Sequence, residues 1–155
     1  MYFADFRWWQ RHHERPAFTA FAGQLCSIQA ALGGDVDHEH VHMLRNDGSS
    51  GMPKGPNALT TGPNGGYQAL LLALLAGARR VLLLGYDMRF TPEGKTHFHS
   101  DHPKEWRVAE DMYREYAKMF AGIKPHDGVE VLNCTPGSAI KAFPHVPLGE
   151  ALARA

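Results

Sequence analysis

The sequence predicts an α/β fold of three layers with a mainly parallel sheet, and three observations carry that prediction. An apolar segment from Tyr67 to Ala76 is closed by Gly77 and followed almost at once by the aliphatic run Val81-Leu82-Leu83-Leu84. A helix apolar all round that leads into a strand apolar on both faces is what a covered parallel sheet requires. Further on, Ala109, Met112, Tyr113, Tyr116, Phe120 and Ile123 recur at helical spacing and precede a second short apolar run, Val129 to Cys134. Helix and apolar strand therefore alternate, the pattern of helices packed on a sheet.

Taken in order, Met1-Tyr2-Phe3-Ala4-Asp5 reads as the end of a strand, with Asp5 capping a helix through Trp8 to His13 that stops before Pro16. Gly23 to Gln29 and Val41 to Leu44 are short strand candidates. From Arg45 to Gly66 the composition turns to Gly, Ser, Pro, Asn and Thr, which cannot bury a core and reads as one long loop. Tyr67 to Ala76 is expected as a fully buried helix, and Arg80 to Asp87 as a central strand covered on both faces. A second loop, 88–103, carries the histidines. Lys104 to Gly122 then forms an amphipathic helix that packs by one face. Val129 to Cys134 is the next strand, Thr135-Pro136-Gly137-Ser138 turns it, and Leu148 to Arg154 closes the chain as a short helix. There is no internal repeat.

A chain of 155 residues with 44% hydrophobic residues is expected to make one domain, 1–155. Its 16 basic and 16 acidic side chains cancel, and no stripe of Lys or Arg offers a footprint for nucleic acid or an anionic membrane. Small molecules are the expected partners. The longest apolar stretch, Ala69 to Ala78, falls short of the roughly 20 residues a membrane span needs, and no signal pattern opens the chain. The expectation is a soluble, cytoplasmic protein with Cys26 and Cys134 as reduced thiols.

Two segments have the composition of a ligand site. Thr60-Thr61-Gly62-Pro63-Asn64-Gly65-Gly66 stands immediately before the apolar helix, so its hydroxyls, amide and glycine backbone surround a helix N-terminus. Such a terminus takes phosphate or carboxylate; equally, Thr61 or Asn64 caps the helix and the glycines only turn the chain. Gly85-Tyr86-Asp87 falls at the carboxyl end of the expected central strand, where open α/β sheets hold ligands. There Asp87 accepts hydrogen bonds from ribose or sugar hydroxyls, or caps its own loop. Trp8, Trp9 and Trp106 are packing anchors, since no basic residues interleave with them. His38-Glu39-His40-Val41-His42 reads as a solvated strand edge, and no Gly-x-Ser-x-Gly elbow signals a serine triad.

Thr60-Thr61-Gly62, the helix, Gly77 through Asp87, Gly94-Lys95-Thr96-His97 and Cys134-Thr135-Pro136-Gly137-Ser138 together resemble the bacterial CMP-sialic-acid sialyltransferases, which have a Rossmann-like fold. They are similar also to phage-encoded proteins, flagellin-glycosylation factors and the 6-hydroxymethylpterin pyrophosphokinase (MptE-like) group related to these enzymes. The likeness runs from about Thr60 onward. It implies that Thr60, Thr61 and Gly62, with Gly85, line the nucleotide and donor phosphate, that Pro136 and Ser138 face the base, and that His99 or His102 is the general base on an acceptor hydroxyl. With the loop residues above, the expected nucleotide and phosphate set is Thr60, Thr61, Gly62, Asn64, Gly65, Gly85, Asp87, Pro136 and Ser138. Arg89, where the transferases have a tyrosine, and His97 stand behind it. The donor implied is a CMP-linked nucleotide sugar, and no other cofactor.

Family members open with a strand, a Gly/Ser-rich turn and an asparagine. The expectation here is a fold without its first βαβ unit, with a homodimer covering the exposed sheet edge. A non-catalytic phage structural or accessory protein that keeps the fold is the alternative. A third reading takes Thr96-His97-Phe98-His99-Ser100-Asp101-His102, which matches the HxHxDH string of the metallo-β-lactamases, as a zinc hydrolase site with His97, His99, Asp101 and His102 as ligands. Against it, Pro103 follows the motif, and only Asp111, His126, Asp127 and His145 remain downstream as further ligands.

Overall fold

The computed structural model describes residues 1–28, 40–94 and 109–154. They are a mixture of helices and short parallel sheets and fall into two compact units, Met1–Leu75 and Ala76–Ala155.

In the first unit Asp5 caps α1 (Phe6–His12), its carboxylate accepting the Trp8 N–H at 2.8 Å. The chain does not stay irregular at Pro16. A single turn, α2 (Pro16–Thr19), starts there, because proline lacks an N–H that the first turn leaves unpaired anyway. Strands β1 (Leu25–Ile28), β2 (Val41–Asn46) and β3 (Ala58–Leu59) make a parallel sheet in that order, with Leu25 beside Val41 and Arg45 beside Ala58. Tyr2 adds a parallel bridge to Cys26, closed by Cys26 N–H to Met1 O and Phe3 N–H to Cys26 O. Phe3, Trp9, Phe18, Leu25 and Val41 form the core at this end. The Trp9 ring stacks on Phe3 with centroids 5.0 Å apart, and Phe18 meets both edge-on, so Trp8 and Trp9 are packing anchors as expected.

The expected loop from Arg45 to Gly66 is broken by structure. β2 runs on through Arg45 and Asn46, and Ala58-Leu59, the adjacent apolar pair in this polar stretch, is wholly buried as β3. Arg45 N–H to Asn57 O and Asp47 N–H to Leu59 O tie the two strands. Helix α3 (Gly65–Leu75) buries Tyr67, Gln68, Leu70 and Leu71 and leaves Ala69 exposed, so an apolar composition all round does not become burial all round.

In the second unit β4 (Arg80–Leu83) pairs parallel with β5 (Glu130–Asn133), residue for residue from Arg80 and Glu130 to Leu83 and Asn133. The expected strand to Asp87 is cut short. Gly85 enters the left-handed region at φ 74°, and Leu84 before it is 54% exposed. Among the described residues β4 has one strand neighbour, and Val81 and Leu82 are half-buried, which departs from the expected central strand covered on both faces. Asn133 extends the pairing through a parallel bridge to His145. At the strand mouths Arg80 Nε lies 2.8 Å from Glu130 Oε2, but its N–H is out of line for a hydrogen bond, so this attraction is ionic.

Helix α4 (Glu110–Met119) continues as a 3-10 turn over Phe120–Gly122, and residues 104–108 of the expected helix lie outside the described residues. Ala117, Phe120 and Ile123 are buried, whereas Met112, expected on the packing face, is exposed. Helix α5 (Leu148–Ala153) sets Ala151 against Leu132, Cys134 and Val146. Both cysteines are free, and no helix among the described residues is long and apolar enough to cross a membrane.

If β3 is a strand of the core, Leu59→Ala costs about 2–5 kcal/mol, against roughly 0.5 kcal/mol for an exposed loop position. Urea denaturation of the full chain checks this; a loss in the lower range returns the segment to a loop.

Candidate functional site

The chain leaves the sheet of the first unit at Asn46 and Leu59, and the two exits are knitted together. Asn46 Oδ1 accepts the Gly48 N–H at 3.0 Å. The Asp47 carboxylate accepts from Arg45 Nε at 3.0 Å and from the Lys54 N–H at 2.7 Å. The bonded Arg45 guanidinium, then the Lys54 amide, hold the Asp47 carboxyl below its ordinary range. Thr60 Oγ1 donates to Gly51 O at 2.8 Å, and Thr61 gives both its N–H and its hydroxyl to Gly48 O.

Tyr67 is the post for these bonds. Its buried hydroxyl accepts the Gly51 N–H at 2.7 Å, and its ring fills the space that a Cβ on Gly62 would occupy. Gly62 sits at φ 56°, so both its backbone and its surroundings exclude a side chain. Asn64 Oδ1 accepts the Tyr67 N–H at 3.0 Å and is the N-cap of α3. Gln68, a polar residue in an apolar helix, bonds Thr61 O with its amide and accepts from the Tyr2 hydroxyl at 2.9 Å. Burial first, then Cys26, raises the Tyr2 pKa, so this phenol stays a donor.

The exits of β4 and β5 in the second unit are knitted by hydroxyls. Thr135 Oγ1 accepts the Tyr86 N–H at 2.9 Å and donates to Leu83 O at 3.2 Å. Ser138 Oγ donates to Tyr86 O and accepts from the Ile140 N–H, and Asp87 O accepts the Ala139 N–H at 2.8 Å. Buried Asn133 accepts the Thr135 N–H and faces Ile140 O, and His145 Nε2 lies 2.8 Å from that same carbonyl. Two acceptors cannot face each other at that distance, so the His145 proton is on Nε2. Gly85 is exposed, and nothing lies within 4 Å of where its Cβ would stand. Arg89 lies across the Gly137 turn, its Nη2 2.5 Å from the position of a Cβ there.

Thr60, Thr61, Gly62, Asn64 and Gly65 thus belong to the first unit, and Gly85, Asp87, Arg89, Pro136 and Ser138 to the second. Every one follows the carboxyl end of a parallel strand. Their availability differs: the hydroxyls of Thr60, Thr61 and Ser138 and the Asn64 carbonyl are engaged within the loops, whereas Gly65, Gly85, Asp87 and Pro136 are exposed. His97, His99, Asp101 and His102 lie outside the described residues, as do His38 and Trp106. His40 and His42 are exposed, and no group of three or more metal-binding side chains occurs among the described residues.

Sequence reasoning missed Gly48, Gly51, the Tyr67 hydroxyl, Gln68 and the Thr135 hydroxyl. Asn46-Asp47-Gly48 is a turn signal and Gln68 an anomaly in its helix; the others carry no local mark. Compared with protein-family models, curated proteins and solved structures, the chain matches none of them.

Gly62→Ala is expected to lose about 2 kcal/mol or more, from the left-handed backbone and the displaced Tyr67 ring, while Gly65→Ala, in open space at a helix start, stays within about 1 kcal/mol of wild type. Chemical denaturation of the two variants compares them. The Asp47 contribution has a defined sign. Its folded-state pKa is depressed, so the stabilisation is complete above the unfolded-state value of about 4 and is lost as the pH falls through the lower folded value. Melting temperature followed from pH 7 to pH 2 should show a smaller acid loss in Asp47→Asn than in wild type; parallel curves would remove this role.

Proposed function

We propose that the protein binds a nucleotide or nucleotide sugar on a Rossmann-like α/β fold, with glycosyl transfer to a hydroxyl as its chemistry. One observation carries this reading: in each unit taken by itself, the loop segments singled out for a nucleotide follow the carboxyl ends of that unit's parallel strands, the edge at which α/β sheets bind ligands. The open groups on that edge suit the ligand. Gly85 lets a ligand approach the backbone, and the exposed Asp87 carboxylate is an acceptor for ribose or sugar hydroxyls. Two free cysteines agree with a reducing cytoplasm.

In the transfer, an acceptor hydroxyl attacks the anomeric carbon of the donor, the bond from that carbon to the phosphate oxygen breaks, and the nucleoside phosphate leaves with the bonding pair. The hydroxyl proton passes to an imidazole, for which His99 and His102 are the candidates, an effect on the order of 10²–10⁴ in rate.

A ligand that binds only the folded chain and is present at 100 times its dissociation constant adds about 2.7 kcal/mol of stability. CMP, a CMP-linked sugar and other nucleoside phosphates at millimolar concentration are therefore expected to raise the melting temperature by several degrees, with the shift reduced in Asp87→Ala. Absence of a shift with every nucleotide tested overturns the reading.

A further inference from the structure

The turn after β5 carries cationic and amide donors that the fold leaves unused. Arg89 lies against Gly137, with Nη2 at 2.5 Å and Cζ at 3.3 Å from the position of a Cβ there. Among the described residues Arg89 has no carboxylate within ion-pair distance and no hydrogen-bond acceptor, so none of them takes up the donors of its guanidinium. The Gly137 N–H likewise has no partner among the described residues. At the next residue, Lys141 Nζ donates to Ser138 O at 3.2 Å and keeps its other protons for a further acceptor.

Rigidity makes this more than a pair of surface cations. Ser138 is 1% exposed and Thr135 is 4% exposed, and their hydroxyls bind the turn to Leu83 at the end of β4 and to Tyr86 in the loop after it. Gly137 holds φ 67° at the corner of a turn that the Ser138 N–H closes onto Thr135 O, and because Pro136 has no N–H, the Gly137 N–H is the amide this turn leaves over. Gly137 also has no side chain to lift the guanidinium away. Asp87 belongs to the same neighbourhood, its backbone carbonyl accepting the Ala139 N–H. Among the described residues its carboxylate pairs with neither cation, so Arg89, Lys141 and Asp87 together carry a positive balance.

We propose that Arg89, the Gly137 N–H and Lys141 form a subsite for a phosphoryl oxyanion, the diphosphate or phosphate end of a nucleotide. The subsite deepens the nucleotide reading by naming the groups that take the charge. Arg89 supplies the planar fork that fits two phosphoryl oxygens, and Lys141 a point charge beside it.

The test uses the full chain and follows the Gly137 amide by proton–nitrogen NMR during titration with inorganic pyrophosphate, orthophosphate and sulfate. The expected result is a saturable downfield shift of that amide, strongest with pyrophosphate and weakened by added salt. Arg89→Ala should weaken pyrophosphate by about 10-fold or more, as loss of a charged bidentate partner does, Arg89→Lys by less, and Lys141→Ala by about 3-fold. Arg114→Ala, a cation on α4 already paired with Glu110, should change nothing. Arg89 is exposed, and unchanged amide positions elsewhere confirm that its variants fold. An amide that does not respond, or affinity indifferent to Arg89, overturns the proposal. Nucleotide stabilisation that survives Arg89→Ala unchanged sinks the subsite and leaves nucleotide binding standing. Pyrophosphate binding with no gain from any nucleoside keeps the subsite and sinks the nucleotide.

Discussion

A chain that leaves a parallel strand carries peptide groups with no further ladder to bond to, and the pairing of those groups is the constraint on which both units rest. An unmade buried hydrogen bond costs about 1–3 kcal/mol, more than the roughly 1 kcal/mol a made one contributes, so each exit must be closed by whatever stands nearby. In the first unit the closing group is Tyr67, a helix residue whose hydroxyl serves Gly51 and whose ring supports Gly62. In the second it is a pair of small hydroxyls, Thr135 and Ser138, which reach across to Leu83 and Tyr86. Different chemistry meets the same need.

The same pairing separates residues that hold a loop from residues that face outward. Thr60, Thr61, Asn64 and Ser138 have the composition of a phosphate-binding segment, yet their donors and acceptors are engaged by neighbouring backbone. Gly85, Asp87, Arg89 and Gly137, which follow β4 and β5 in the second unit, are exposed instead. Hydroxyl-rich loops and ligand sites draw on one short list of residue types, because small polar side chains suit both.

Much of the fold was legible where a single local signal sufficed. The Asp5 cap, the strands at Leu25 and Val41, the helix closed by Gly77 and the terminal helix from Leu148 each follow from a cap, an apolar run or a glycine. What was hidden depends on partners distant in sequence. Ala58-Leu59 is too short to announce a strand and becomes one only because β2 offers an edge. Leu84 belongs to an aliphatic run but falls outside the strand, since Gly85 turns the backbone regardless of the residues before it. Of the candidate site, the strand-end placement of the loops was readable from the glycines and the run before Asp87. The side-chain assignments were not. Whether a threonine faces a ligand or Gly48 is settled by a contact 13 residues away.

The guanidinium of Arg89 resting on Gly137 couples two positions 48 residues apart, counted as 137 minus 89. A side chain at 137 first has to displace the arginine, whereas after the arginine has been shortened the same change meets only the backbone strain. Because the displaced group is the far end of an exposed, flexible side chain, that displacement is the smaller cost and the left-handed backbone at φ 67° the larger. The backbone, more than the guanidinium above it, therefore keeps position 137 a glycine.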